Sequence, residues 1–287
     1  MERVSLKAYA KVNIGLRIDG RRNDGYHTLK TLFQTISIHD NLILELQDEQ
    51  GIGFSTTGLE VPTGEDNICV KAARKVLERE NLKSGINIRL EKNISVGSGL
   101  GGGSSDAAAV IRGLNKLLKL DLDNSEMEAV ALELGADIPF FIRGGCQYAE
   151  GIGDLLSPGE IEDNFIVLLV IPGISIATSW AYKNLDYLSL TSDTQDVNLA
   201  RFPRNGETNK RRYFRNDFEN LVFSEYPEIG EIKRRISESG AVYASLSGSG
   251  SGVFGLYDSM DEAENGKEKL GKDYDSYILK LIPGFKD

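Results

Sequence analysis

Cysteine is scarce: Cys69 and Cys146 are the only two in 287 residues, they stand far apart, and neither belongs to a CxxC pair. That excludes a disulfide framework and a thiolate metal site, and leaves both as apolar filling. Apolar residues make up 40% of the chain but never run long enough to cross a bilayer, so no membrane partner is expected. Charges at Glu2, Arg3 and Lys7 break the apolar stretch that a secretory signal needs, which predicts a cytoplasmic protein. Positive charge is in deficit as well. With 33 basic against 43 acidic side chains the net charge is −10, which argues against nucleic acid as a partner. An anionic small molecule is still admissible, held by a local pocket rather than by the field of the whole protein. Internal repeats are absent, and the only low-complexity patches are two glycine-serine segments.

What is present reads as strands first and helices after. Val4 to Leu16 alternates apolar and polar residues, as a strand with one wet face does, and puts Lys11 and Asn13 on the same side. Asn23-Asp24-Gly25 is a turn signal, so Thr28 to Ile38 predicts the second arm of a hairpin. Further strands are expected at Asn41 to Leu46 and Ile86 to Leu90. Between them a helix from Ile68 to Glu80 would be capped by Asp66 or Asn67. Helices are also predicted over Asp106 to Leu120 and Glu126 to Leu134, the latter stopped by Gly135. After Ser157-Pro158-Gly159 the pattern restarts with a strand, Phe165 to Ile171, which predicts two units, 1–157 and 158–287. The basic, aperiodic stretch 201–216 reads as a solvated loop. Its successors run helix, strand, glycine-serine loop, strand, helix, strand, the order of a ferredoxin-like sandwich. The fold class is α+β, with a mixed sheet and helices in the first unit.

The segment Val96-Gly97-Ser98-Gly99-Leu100-Gly101-Gly102-Gly103-Ser104-Ser105 follows a strand and runs straight into a helix. Glycines let main-chain N–H groups converge on one point, and the helix N-terminus adds partial positive charge there. The Ser104 and Ser105 hydroxyls could serve phosphate oxygens or the hydration shell of Mg2+. This is a site for a polyphosphate. Gly97 to Gly102 formally fits the dinucleotide pattern GxGxxG, but no alternating strand-helix series follows it. A Walker A loop needs a lysine where Gly103 stands. A flexible linker is the plain alternative, and it would not join a strand so abruptly to an alanine-rich helix.

The order of elements and this loop together resemble the GHMP kinases. Four segments narrow the likeness to the branch that phosphorylates 4-diphosphocytidyl-2-C-methyl-D-erythritol: Ala10-Lys11-Val12-Asn13-Ile14-Gly15-Leu16, Arg22 to His27, Gly99 to Ser105, and Leu134 to Pro139. Asn216-Asp217-Phe218-Glu219 and the late Ser247-Gly248-Ser249-Gly250 belong to the same likeness. The resemblance implies a two-domain kinase fold, ATP as donor, Mg2+ as its companion and that small molecule as acceptor. It also implies Asp137 as general base and Lys11 as its partner. By themselves the residues would read as a turn aspartate after Gly135 and an exposed strand lysine. Tyr26 and His27 are implied at the cytidine end, with Tyr182 as a second aromatic there; a core tyrosine is the other reading. Asn13 and Thr178 are further acceptor-side candidates, and Asn67, Ile68 and Lys92 resemble an adenosine pocket. Ser95 departs from the proline that usually precedes the glycine loop, which removes a fixed φ but no phosphate contact. Another GHMP kinase, or a nucleotide-binding regulator without turnover, would share the loop.

Overall fold

The computed structural model describes residues 2–162, 164–185, 198–204 and 207–285. The chain opens with a long antiparallel hairpin, β1 (Arg3–Arg21) and β2 (His27–Gln47), joined through a turn in which Gly25 takes φ 90°. β2 is one strand where two were expected. Its first edge pairs with β1 along the whole length, and its second edge is shared by two later strands, which carries it through the polar stretch around His39 and Asp40. Strand β3 (Gly51–Gly58) connects through α1 (Ile68–Arg79) to β4 (Gly85–Lys92), its parallel neighbour. The cap of α1 is Asn67, whose side chain accepts from the Cys69 N–H at 2.8 Å.

Helix α2 (Gly102–Leu118) begins four residues before the expected Asp106, inside the glycine run, with Gly101 at φ 70° as its N-cap. Helix α3 (Asn124–Leu132) starts at a capping box between Asp123 and Glu126, two residues earlier than its apolar pattern suggests. A short α4 (Phe140–Arg143), β5 (Cys146–Glu150) and β6 (Leu155–Pro158) complete the first sheet, ordered β3-β4-β2-β5-β6 with β1 on the other side of β2.

The second sheet starts at β7 (Ile166–Ile171). After it come α5 (Thr178–Asn184), a 3-10 turn (Thr208–Tyr213), α6 (Glu219–Glu225), α7 (Pro227–Glu238), β8 (Tyr243–Leu246), β9 (Val253–Tyr257), α8 (Met260–Leu270) and β10 (Asp275–Lys280). Its order β10-β7-β9-β8, antiparallel throughout, is that of a ferredoxin-like sandwich.

Strand alternation decides how the two units meet. Ala8 and Phe33 face the helices α1 to α4, whereas Ala10, Val12, Ile14, Leu32 and Ile36 face Val167, Leu169, Phe254 and Leu256 of the second sheet. The end of the chain then crosses back, with Ile282 N–H donating to Thr35 and Phe285 N–H to Arg143.

The basic stretch 201–216 is only partly solvated. Arg201 and Arg204 pair with Glu160, while Arg211 is buried over the Phe165 and Phe202 rings; Asn205 and Gly206 lie outside the described residues. No described helix is long and apolar enough to cross a membrane.

Candidate active site

The connection from β4 to α2 borders a cleft of about 670 Å³, lined also by the middle of β1, by Thr178 and Tyr182 of α5 and by residues 248–249. Its geometry follows from where the loop's carbonyls go. Gly97 O accepts from Ile176 N–H (3.0 Å) and Ser251 N–H (3.3 Å), and Ser98 O accepts from Gly252 N–H (2.9 Å). Gly99 O accepts from Lys11 Nζ (2.8 Å) and Ser247 Oγ (3.0 Å), and Leu100 O from Lys11 N–H (3.0 Å). With its carbonyls held by the protein, the loop has no partner among the described residues for its N–H groups from Gly97 to Ser104. Gly97, Gly99 and Gly101 alternate in the left-handed region at φ 70°, 74° and 70°, which curls those N–H groups into a nest. Gly99 is also fixed by space, since a Cβ there would sit 2.0 Å from the Ser247 carbonyl oxygen.

Beneath the nest lies a buried ion network that sequence reading did not foresee. The Lys92 ammonium is held between Asp40 and Asp106, the latter at 2.8 Å, and Asp40 also accepts from the N–H groups of Asn93 (2.5 Å) and Ile94 (2.8 Å). Burial pushes the Asp106 carboxyl well up, with Lys92 opposing the rise. Lys92 was expected in the adenosine pocket. Lys92 does line the cleft, but its charge is already spent. Asn67 is likewise occupied as a cap, donating to Pro62 O besides accepting from Cys69, so Ile68 contributes the freer surface.

The two residues expected to do chemistry both line the cleft. Asp137, in the turn after α3, accepts from Ser104 Oγ at 2.8 Å. Lys11 is buried, and its ammonium donates to Asn13 Oδ1 as well as to Gly99 O. Burial lowers Lys11 to about 8, and the nearby Asp137 carboxylate works against that fall. Asn13 spends its oxygen on Lys11 and an N–H on Thr31 Oγ1 (3.0 Å), so its polar groups serve Lys11 before any ligand.

On the far side, His27 stacks on Tyr182 with centroids 4.8 Å apart and planes at 19°, and Phe218 meets Tyr182 edge-on at 5.0 Å. Burial, then Asp137, pushes the Tyr182 phenol up to about 12, so it stays neutral. Burial and Arg21 lower the His27 imidazole, which favours its neutral form. Thr178 accepts from Ser249 Oγ at 3.2 Å on the cleft wall.

Three of the expected residues, Tyr26, His27 and Ser105, are not among the residues that line the cleft. Tyr26 is 60% exposed at the tip of the hairpin and does not line the cleft. The Ser105 hydroxyl faces away, donating to Tyr9 O at 2.7 Å, because one residue along a helix turns a side chain by about 100° from Ser104. Ser98 keeps its hydroxyl on Ser95 O (2.6 Å) and offers only its N–H, and Val96 is an exposed apolar side chain at the mouth. Sequence reading missed Leu16, Leu29, Ile152 and Phe218 as cleft walls. Gly151-Ile152-Gly153-Asp154 carried a turn signal that could have drawn notice to Ile152.

Free N–H groups in this number attract a polyphosphate, and the cleft beside them has room for a second small molecule; together they define a small-molecule kinase. Family models match twice, the GHMP kinases N terminal domain over residues 67–145 and the GHMP kinases C terminal over residues 199–276. A 4-diphosphocytidyl-2-C-methyl-D-erythritol kinase from Chlorobium chlorochromatii is 43% identical, covering 95% of this chain and 94% of that one. Another, from Prosthecochloris aestuarii, is 40% identical over 96% of both. A crystal structure of 4-(cytidine 5'-diphospho)-2C-methyl-D-erythritol kinase superposes with TM-score 0.79 at 32% identity, over 97% of this chain and 99% of that one. The chain belongs to the GHMP kinases, in their 4-diphosphocytidyl-2-C-methyl-D-erythritol kinase branch.

Proposed function

We propose that the chain transfers the γ-phosphoryl group of ATP to the 2-hydroxyl of 4-diphosphocytidyl-2-C-methyl-D-erythritol, giving the 2-phosphate and ADP on the non-mevalonate route to isoprenoid precursors. The observation that carries this reading is that Lys11 and Asp137 border the same cleft as a nest of unpaired N–H groups. The triphosphate sits on those N–H groups, with the purine end along Ile68 and Lys92. A substrate hydroxyl is a poor nucleophile, and Asp137 is free to take its proton through the oxygen that Ser104 does not hold. Lys11, itself buried, stabilises the charge that develops on the transferring oxygens.

Magnesium belongs to this reading. The donors suit it: Mg2+ takes few protein oxygens together with phosphate oxygens and water, and Ser104 presents a hydroxyl at the phosphate end. Among the described residues no three His, Cys, Asp or Glu side chains could form a cage made of protein alone. Bound with ATP, the ion would neutralise charge on the β- and γ-phosphoryl oxygens.

The acceptor side rests on His27 and Tyr182. Aromatic faces accept any base, so the choice of cytosine falls to hydrogen bonds at the base edge, which the neutral His27 imidazole can make. Incubation with ATP and the cytidylylated alcohol should release ADP. Folded protein that releases none, or that prefers an uncytidylylated alcohol, refutes the reading. Asp137→Asn should keep ATP binding by calorimetry and lose transfer by about 10²- to 10⁴-fold.

A further inference from the structure

The motif Asn216-Asp217-Phe218-Glu219 has no part in the chemistry above, yet it ties β1, Tyr182 and the end of β8 together behind the cleft. Asp217 Oδ2 accepts from Ile18 N–H of β1 at 2.7 Å. Phe218 lines the cleft against Tyr182. Glu219 Oε1 accepts from Leu246 N–H at 3.1 Å. Asn216 is buried, and its amide nitrogen donates to both Leu246 O (2.9 Å) and Gly248 O (2.7 Å), while its oxygen accepts from Phe218 N–H at 3.0 Å.

Those two carbonyls flank Ser247. One planar amide thus fixes the residue on either side of the serine whose hydroxyl donates to Gly99 O, the same oxygen that receives the Lys11 ammonium. The Ser247 carbonyl also abuts the Gly99 α-carbon, and a Cβ on Gly248 would lie 3.4 Å from Lys11 Nζ. Asn216 is therefore two links from the phosphate nest and three from the catalytic ammonium, without touching either.

We propose that Asn216 is a positioning residue for phosphoryl transfer: by clamping both flanks of Ser247 it sets Gly99 and Lys11 at the distance that transfer requires. The inference rests on the kinase reading. In-line transfer is sensitive to small displacements, of which about 1 Å costs some 10²-fold. Asparagine suits the task because its amide offers two N–H donors and an acceptor oxygen in one plane, and all three are used here.

Asn216→Ser keeps a local hydrogen bond to the Phe218 N–H but cannot span to both carbonyls. With the parent enzyme turning over, this variant should show kcat lowered by about 10- to 100-fold, with the KM values for ATP and acceptor within about threefold. A role confined to stability would lower the melting temperature and leave kcat of the folded fraction unchanged, and that result overturns the proposal. Combined with Ser247→Ala, the loss should be smaller than the product of the two single losses, since both act through Gly99 O. Independent, multiplicative losses also overturn it. Should Asn216→Ser fail to fold, Ser247→Ala alone must lower kcat at unchanged KM, and an unchanged kcat there decides against the clamp. A parent enzyme without turnover would instead refute the kinase reading.

Discussion

Raising the pH above 8 should weaken catalysis and relieve a strain on the fold in the same interval, because both effects depend on the Lys11 ammonium. Burial brings this lysine from 10.5 down to about 8. The unfolded chain keeps the proton until about 10.5, so between the two values the unfolded state binds more protons and stability rises with pH. The penalty of holding the buried charge is about 3 kcal/mol; it is fully present below pH ~8 and is gone above ~10.5. Catalysis runs the other way, since only the ammonium can stabilise the transferring phosphoryl oxygens. The basic limb of kcat/KM should centre near pH 8, leaving about one tenth of the free enzyme competent at pH ~9. At saturating ATP the limb in kcat should move to higher pH, because the phosphates favour the charged form. Rates would be followed by ADP release, and stability by urea denaturation of the parent against Lys11→Met, so that other titrating groups cancel. A kcat/KM profile flat to pH 10, or a stability difference that falls as the pH rises from 8, would refute the argument.

Three further outcomes are expected. Gly99→Ala puts a Cβ 2.0 Å from the Ser247 carbonyl at a residue with φ 74°, so the nest must move; kcat/KM should drop by at least about 10²-fold, with weaker ADP binding by calorimetry. Lys92→Met leaves Asp40 and Asp106 facing each other without their cation, and should lower the unfolding free energy by about 3–5 kcal/mol in urea. Tyr182→Ala should raise the acceptor KM by roughly tenfold and leave the ATP KM unchanged, since a base stack is worth about 1–3 kcal/mol.

The parts of the fold that local chemistry specifies were legible in the chain. Asn67 caps α1 where expected, and the tail order helix-strand-strand-helix-strand yields the β10-β7-β9-β8 sheet. The glycine loop lies at a helix N-terminus, where Gly97, Gly99 and Gly101 take the positive φ that its turns require. Strand β3, Gly51–Gly58, escaped notice because Ile52 and Phe54 are its only large apolar residues among glycines, serine and threonines, and its parallel partner β4 supplies the pairing that makes it a strand. The start of α2 was misplaced because glycine is a poor helix former, yet here Gly102 and Gly103 occupy the first turn. Ser104 and Ser105 look equivalent as letters. Only the helical phase separates the one that reaches Asp137 from the one that reaches Tyr9.

The remaining parts of the site depend on contacts across hundreds of residues, which no local pattern encodes. His27 and Tyr182 come from different units and stack on each other, so the wall proposed for a base is already occupied by its own aromatic pair. A base can enter between the rings only if their centroids separate from 4.8 Å to roughly twice a 3.5 Å contact. The stack given up is worth about 0.5–1.5 kcal/mol and each new base-aromatic stack about 1–3 kcal/mol, so insertion is favourable for any base that fits. Selection must therefore come from groups at the edge of the ring. His27, kept neutral by burial and by Arg21, has one donor and one acceptor nitrogen and can distinguish an amino from a keto edge in a way that a permanent cation could not.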